Sequence, residues 1–249
     1  MNMAAPMLAV KNLSAGYGAV WVVQGFCLHV AAGELVGVAG LNGSGKSTAL
    51  LGLAGLLAKA RADSITLEGV SLESCGAAER ARKGLGIVLQ KHGIFSEATV
   101  AENVALALPG CGLTRDPFTL DPLRRMWVRL MGKRNAAAGC LSGGEQRMLG
   151  LGVMLLRTPK VLLADEPTLG VPVELGDVVF DELRSYAVRF QAAVVVVSHQ
   201  WARLSGTCSR TVAMKNGTVV AEFAKEQLAV DGALLLRALN HNVQDGGAA

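Results

Sequence analysis

The dominant pattern along the chain is a set of short apolar runs without polar alternation, separated by stretches of helical period. Residues 35–39 (LVGVA) read as a strand buried on both faces, because a strand with one wet face would alternate; residues 161–164 (VLLA) read as an apolar strand and 194–197 (VVVV) as a buried one. Residues 8–10 and 25–30 read as short strands on either side of the turn-rich stretch 14–18, and residues 65–67 and 86–89 as two more. Helices are expected over 47–58 and 178–190. Between 91 and 159 the pattern is mainly helical, broken by a proline-bearing loop over 109–122. Residues 212–214 and 218–221 flank Lys215, Asn216 and Gly217, a hairpin with Asn-Gly in its turn. The tail 244–249 is expected to fray. No internal repeat is present. Strands alternating with helices predict an α/β sheet carrying a second, helical lobe over residues 91–158.

Composition narrows the class. With 249 residues, 51% hydrophobic and 18% charged, the chain can bury a large core and is not a disordered one. Its 30 glycines show no three-residue period, which excludes collagen. Net charge is only +4, a mild excess that fits a weak anionic partner. No apolar run approaches the roughly 18 residues of a membrane helix, and the first residues do not read as a secretory signal. Five cysteines without a C-x-x-C pair fit a reduced chain better than a disulfide or zinc scaffold. Mean hydropathy of +0.38 is high for such a chain and suggests apolar surface covered by a partner.

Three motifs carry chemistry. Gly40, Leu41, Asn42, Gly43, Ser44, Gly45, Lys46, Ser47 and Thr48 match G-x-x-x-x-G-K-[ST], between a buried strand and a helix. Glycines let backbone N–H groups curl round phosphate oxygens, and the helix start adds partial positive charge. Lys46 is then placed for the β- and γ-phosphates and Ser47 for Mg²⁺. The strand 161–164 ends in Asp165 and Glu166, a carboxylate for the metal and one to polarise the attacking water. Finally, Leu141, Ser142, Gly143, Gly144 and Glu145 open a helix, with Ser142 as N-cap and Glu145 completing a capping box. A helix start rich in glycine is also an anion site.

In combination these motifs resemble the ATP-binding cassette (ABC) ATPases, over nearly the whole chain. The resemblance implies a P-loop NTPase (RecA-like) core, formed by 1–90 and 159–225 with an antiparallel β subdomain. It also implies a helical subdomain over 91–158 and a C-terminal helix and tail over 226–249. It makes Tyr17 the ring stacked on adenine and Gly40 to Thr48 the Walker A loop. Gln90 falls at the Q-loop that senses Mg²⁺ and γ-phosphate, Asp165 and Glu166 at Walker B and the catalytic glutamate, and His199 at the switch histidine. Residues 141–145 become the signature, which reads LSGGE rather than LSGGQ and which contacts the ATP of a second ATPase subunit, identical or related. The implied cofactors are ATP and Mg²⁺. The implied partners are membrane-spanning permease subunits and an external solute-binding protein, with the chain peripheral on the cytoplasmic face of the membrane. No nucleic-acid partner is expected. Residues 88–103, 145–149 and 13–18 are similar to the ATPases of branched-chain amino-acid importers, and urea and lipopolysaccharide ATPases share much of this. Export or lipid transport is the alternative. A soluble ABC ATPase of repair or translation would carry a coiled coil, a zinc insertion or a second cassette, none of which is seen.

Several positions depart from the family pattern. Pro172 stands where most members have the D-loop aspartate, and proline removes a donor and fixes φ. Gly150 and Gly152 sit in the signature helix at ~1 kcal/mol each against alanine. Leu123, Met126, Trp127, Leu130 and Met131 form an apolar stripe at helical spacing, with Arg124, Arg125, Arg129, Lys133 and Arg134 around it. The stripe is expected in the core and the charges on a solvated face. Apolar Ile94 and Phe95 are the expected docking point for a membrane partner.

Overall fold

The computed structural model describes residues 5–90, 93–107, 128 and 130–240. The loop at 109–122, residues 123–127 and Arg129 of the basic helix, and the tail 244–249 lie outside them.

Two sheets organise these residues. One is antiparallel, with β1 (Leu8–Tyr17) central, β2 (Val20–Val30) on one side and β5 (Ser64–Leu67) then β6 (Val70–Ser71) on the other, while β4 (Lys59–Arg61) also pairs with β1. The second has the order β11-β10-β3-β9-β8-β7, built from β3 (Leu35–Ala39), β7 (Leu85–Val88), β8 (Val161–Asp165), β9 (Ala193–Ser198), β10 (Arg210–Lys215) and β11 (Thr218–Ala224). Its four pairings from β10 through to β7 are parallel and β11 returns antiparallel. The α/β core with an antiparallel β unit is therefore as expected. The helices are α1 (Lys46–Leu53), α2 (Ala77–Arg82), α3 (Val100–Leu106), α4 (Gly143–Leu156), α5 (Val173–Phe190), α6 (Trp201–Thr207), α7 (Lys225–Val230) and α8 (Ala233–Asn240).

Every residue of β3, β8 and β9 is buried, which accounts for their unalternating sequence. Period two then splits their side chains between two cores. Val161 and Leu163 of β8, with Val195 and Val197 of β9, pack with α1 and the antiparallel sheet. Leu162 and Ala164, with Val194 and Val196, pack with α4 and α5. Asp165 shares parity with Val161 and Leu163, so the fold delivers its carboxylate to the α1 side. Registers pair Ala39 with Ser198 and Asp165 with Val197, so β3, β9 and β8 end level with one another.

Several local expectations change. Of the stretch 14–18 only Gly18, at φ 50°, lies in the turn: β1 runs on to Tyr17, bending at three register shifts. Gly16 makes this possible, since a Cβ there would meet the Val20 carbonyl oxygen at 2.0 Å. The helix expected to reach residue 58 stops at Leu53, before Gly55 at φ 72°, and the following residues form β4. The helix 178–190 begins five residues earlier, at Val173, with Pro172 as its N-cap. In the β10–β11 hairpin, Asn216 (φ 48°) and Gly217 (φ 81°) both take left-handed backbone, as an Asn-Gly hairpin turn requires. Of the apolar stripe, Leu130 is buried as expected, but Met131 is exposed. Lys133 is not simply solvated: its Nζ pairs with Glu145 at 2.7 Å. Phe95 is exposed, whereas Ile94 is half-buried against the core.

Candidate nucleotide-binding site

The site forms where the parallel strands end. After β3 the chain turns through the glycine-rich loop into α1. A Cβ on Gly40 would lie 2.4 Å from the Met214 carbonyl oxygen and from Ser44 Oγ, so only glycine fits there. Gly45, at φ 97°, is the N-cap of α1. The Lys46 ammonium reaches back over the loop, donating to the carbonyls of Gly40 and Leu41, both at 2.9 Å. The Ser47 hydroxyl donates to Asp165 Oδ1 at 3.0 Å, 118 residues away in sequence.

Glu166 follows β8 with φ 48°, an unusual backbone for a non-glycine residue and a common feature of functional sites. This breaks the strand's alternation and turns the Glu166 carboxylate toward the end of β9. There it accepts the Ser198 hydroxyl at 3.1 Å on Oε2 and the His199 backbone N–H at 2.9 Å on Oε1, with the His199 ring nitrogen Nδ1 also 2.9 Å from Oε1. Glu166 and Ser198 are buried, and His199 is exposed.

A cavity of about 400 Å³ opens above these residues. Asn42, Gly43, Ser44, Gly45, Lys46, Ser47 and Thr48 line it, with Gln90, Glu166, His199, Leu169 and Val22. Burial shapes its electrostatics. The Lys46 ammonium is pushed below its ordinary range by burial, against the pull of Glu166 and Asp165. Asp165 is pushed up by burial; the Ser47 hydrogen bond opposes this and the Glu166 charge reinforces it. Such a pocket rewards a ligand that brings negative charge to Lys46 and a cation to Asp165.

The remaining expected residues stand elsewhere. Tyr17 ends β1 opposite Val20, half exposed, and is not among the lining residues; the wall contributed by β2 is Val22. The expected capping box forms: Ser142 Oγ accepts the Glu145 N–H at 3.4 Å, and the Glu145 carboxylate accepts the Ser142 N–H at 3.0 Å. Yet none of residues 141–145 lines the loop cavity. Gly143 borders a second cavity, with Gln146, Arg147 and Gly150 on one wall and Val88, Leu89 and Gln90 on the other. Gly144 packs on the D-loop, where a Cβ would lie 2.9 Å from the Gly170 carbonyl oxygen and 3.2 Å from Pro172 Cδ. At Gly150 a Cβ would make only an ordinary 3.6 Å contact, so that glycine is tolerated rather than required.

Two contributors escaped the sequence. Ser198 holds Glu166, and its signal was only its place before His199. Arg147 donates through Nη1 to the Glu166 carbonyl at 3.3 Å and through Nη2 to the Gln90 carbonyl. Its signal was a lone cation one turn into the signature helix.

Known proteins agree with this architecture. Residues 23–169 match the ABC transporter family model. The chain is 32% identical over 219 residues to the high-affinity branched-chain amino acid transport ATP-binding protein BraG of Pseudomonas aeruginosa, covering 86% of this chain and 91% of that one. It is 34% identical over 225 residues to the lipoprotein-releasing system ATP-binding protein LolD of Geobacter metallireducens, covering 87% and 99%. It is 31% identical over 224 residues to the methionine import ATP-binding protein MetN 1 of Paraburkholderia xenovorans, a longer protein of which it spans 64%, and 87% of this chain. A solved ATP-binding subunit of an ABC transporter superposes with TM-score 0.78 at 27% identity, over 93% of this chain and 97% of that one. The phosphate loop, the carboxylate pair and the matched sequence thus agree, and the chain belongs to the ABC transporter family as an ATP-binding ATPase subunit.

Proposed function

We propose that this chain energises a separate membrane permease by hydrolysing ATP, in the import of branched-chain amino acids or a similar small polar solute. The observation that carries the reading is the meeting of Ser47 Oγ with Asp165 Oδ1 at 3.0 Å, beside a cavity walled by Lys46, Gln90, Glu166 and His199. The donor set fits a hard cation: a hydroxyl and a carboxylate touch each other, with the Gln90 amide on the same cavity. Ser47, Asp165 and Gln90 would hold Mg²⁺, which would supply charge neutralisation at the phosphates. Loop amides from Gly43 to Thr48 and the Lys46 ammonium hold the triphosphate. Glu166 accepts a proton from the attacking water, positioned by Ser198 and by the His199 backbone. His199 stands at the cavity wall, placed to contact the γ-phosphate, and Tyr17 takes the adenine.

Residues 141–145 lie outside the loop cavity of their own chain, which supports a head-to-tail pair in which they contact the ATP of a second ATPase subunit. Phe95, exposed beyond the Gln90 segment, fits a contact with the permease at the cytoplasmic face of the membrane; an external binding protein would deliver the solute. No described helix is long and apolar enough to cross a membrane. The likeness to LolD, over 99% of its length, supports a second reading in which the cargo is lipid-linked and leaves the membrane. Purifying the tagged chain from detergent-solubilised membranes tests both. A multi-spanning permease with a solute-binding protein supports import, a lipid-extracting permease supports the second reading, and recovery of no membrane protein refutes both.

A further inference from the structure

Arg147 occupies the one position on the signature helix from which a side chain touches both halves of the hydrolytic site. Its guanidinium is half-buried and donates to two backbone carbonyls, those of Gln90 and Glu166. Both lie just past strand ends: β7 finishes at Val88 and β8 at Asp165. These peptide units have left the sheet ladder, so their orientation depends on what else binds them: the Glu166 carbonyl also accepts the Leu169 N–H at 3.1 Å, and Arg147 adds the tie to a different element. At Glu166 that orientation matters acutely, because a left-handed backbone aims its carboxylate at Ser198 and His199.

Arginine suits the task. Burial disfavours the guanidinium charge here, and the nearby Asp165 and Glu166 carboxylates favour it. Its planar fork holds two acceptors at a fixed separation, which the single ammonium of lysine does less rigidly. Around it, Gln146 is already committed to the carbonyls of Gly139 and Leu141, and Glu145 to Ser142 and Lys133. Arg147 alone among these α4 side chains crosses from the signature helix to the strand ends.

We propose that Arg147 is a positioning residue that ties the Gln90 and Glu166 peptide units to the signature helix and so holds the hydrolytic residues in place. The inference rests on the ATPase reading for its kinetic consequence, though not for the clamp itself. The clamp orients groups needed at the transition state, and Arg147 does not line the loop cavity. Its loss therefore acts on kcat with little effect on KM.

Arg147→Ala, Arg147→Lys and Arg147→Gln, compared with the full-length wild type, test this. Arg147→Ala is expected to lower kcat by about 10-fold or more, as small misplacements of catalytic groups do, with ATP KM and Kd within about 3-fold of wild type. Arg147→Lys should recover part of the rate and Arg147→Gln little of it. Hydrogen exchange, read without turnover, should show peptides spanning 86–90 and 164–168 losing protection in Arg147→Ala while those of α5 keep theirs. Unchanged kcat with unchanged exchange overturns the proposal, as does a rate loss accompanied by equal loss of ATP affinity and of protection throughout the chain. A wild type without Mg²⁺-dependent turnover would instead remove the ATPase reading, and the exchange data would still decide the clamp.

Discussion

A single oxygen of Glu166, Oε1, lies 2.9 Å from both the backbone nitrogen and the ring Nδ1 of His199. Facing a carboxylate, Nδ1 is placed to donate to it. The Glu166 carboxylate and His199 are thus one hydrogen-bonded unit, completed by Ser198 on the other carboxylate oxygen.

Glu166→Gln preserves this unit's shape, since an amide oxygen still accepts the His199 N–H and the Ser198 hydroxyl can turn to accept. It removes the base. ATP hydrolysis should fall by about 100-fold or more while ATP binding survives, and the ATP-bound variant should accumulate as a dimer on size-exclusion chromatography. Turnover at the wild-type rate would refute the role assigned to Glu166.

Asp165 offers a stability test. Burial raises its pKa in the folded protein, so the folded state binds more protons than the unfolded one over the interval between the two values. Stability therefore falls as pH rises through that interval, and the ionised carboxylate is a burden on the nucleotide-free protein at neutral pH. Asp165→Asn should raise stability by about 1 kcal/mol at pH 7 while weakening Mg²⁺-ATP binding. The gain should shrink as pH is lowered toward the ordinary carboxylate value of 3.8. Chemical denaturation across pH, without nucleotide, measures it; a gain independent of pH would point to packing instead.

Arg80 is buried and closes the far end of α1, donating to the carbonyls of Gly52 at 3.2 Å and Leu53 at 2.7 Å and to that of Cys75 at 2.9 Å. Because α1 carries Lys46 and Ser47 at its other end, the helix must stay rigid. Arg80→Ala should cost about 2 kcal/mol by leaving buried carbonyls unpaired. A melting temperature lower by about 4–8 °C is the expected reading.

Gly144 has no room for a side chain. In Gly144→Ala the new methyl meets backbone, the Gly170 carbonyl oxygen at 2.9 Å and Val171 Cα at 3.2 Å, so the D-loop must shift. A loss of about 1–3 kcal/mol is expected from such overpacking. ATP-dependent dimerisation should fall further than stability does, which paired denaturation and light-scattering measurements resolve.

Pro172 begins α5 without a side-chain cap. Pro172→Asp supplies a capping carboxylate worth about 1 kcal/mol, offset by the more flexible unfolded chain, so stability should stay within about 1 kcal/mol. The hydrolysis rate in the assembled transporter should change while ATP binding persists. Unchanged kinetics would make the proline neutral there.

Much of this architecture is readable in the chain itself. Residues 35–39, 161–164 and 194–197 announce buried parallel strands because both faces of each meet a core. The Asn216–Gly217 turn and the Ser142–Glu145 capping box follow from backbone chemistry local to a few residues. The motif from Gly40 to Thr48 likewise carries its own geometry. Residues 14–17, by contrast, misread as part of the turn that only Gly18 joins, because Gly16 marks a close approach of β2 that no local pattern reveals.

The site's assembly belongs to another level. Sequence determined which groups exist: a lysine and serine on a glycine-rich loop, two carboxylates after a strand, a histidine after another. Tertiary structure decided that β3, β8 and β9 end level, that period two carries Asp165 to Ser47, and that a left-handed Glu166 breaks that period to reach Ser198 and His199. It also brought Arg147 to two carbonyls distant in sequence. The physical reason is range. Motifs and caps are fixed by torsions and hydrogen bonds within a few residues, whereas contacts across 118 residues exist only once a sheet sets the register.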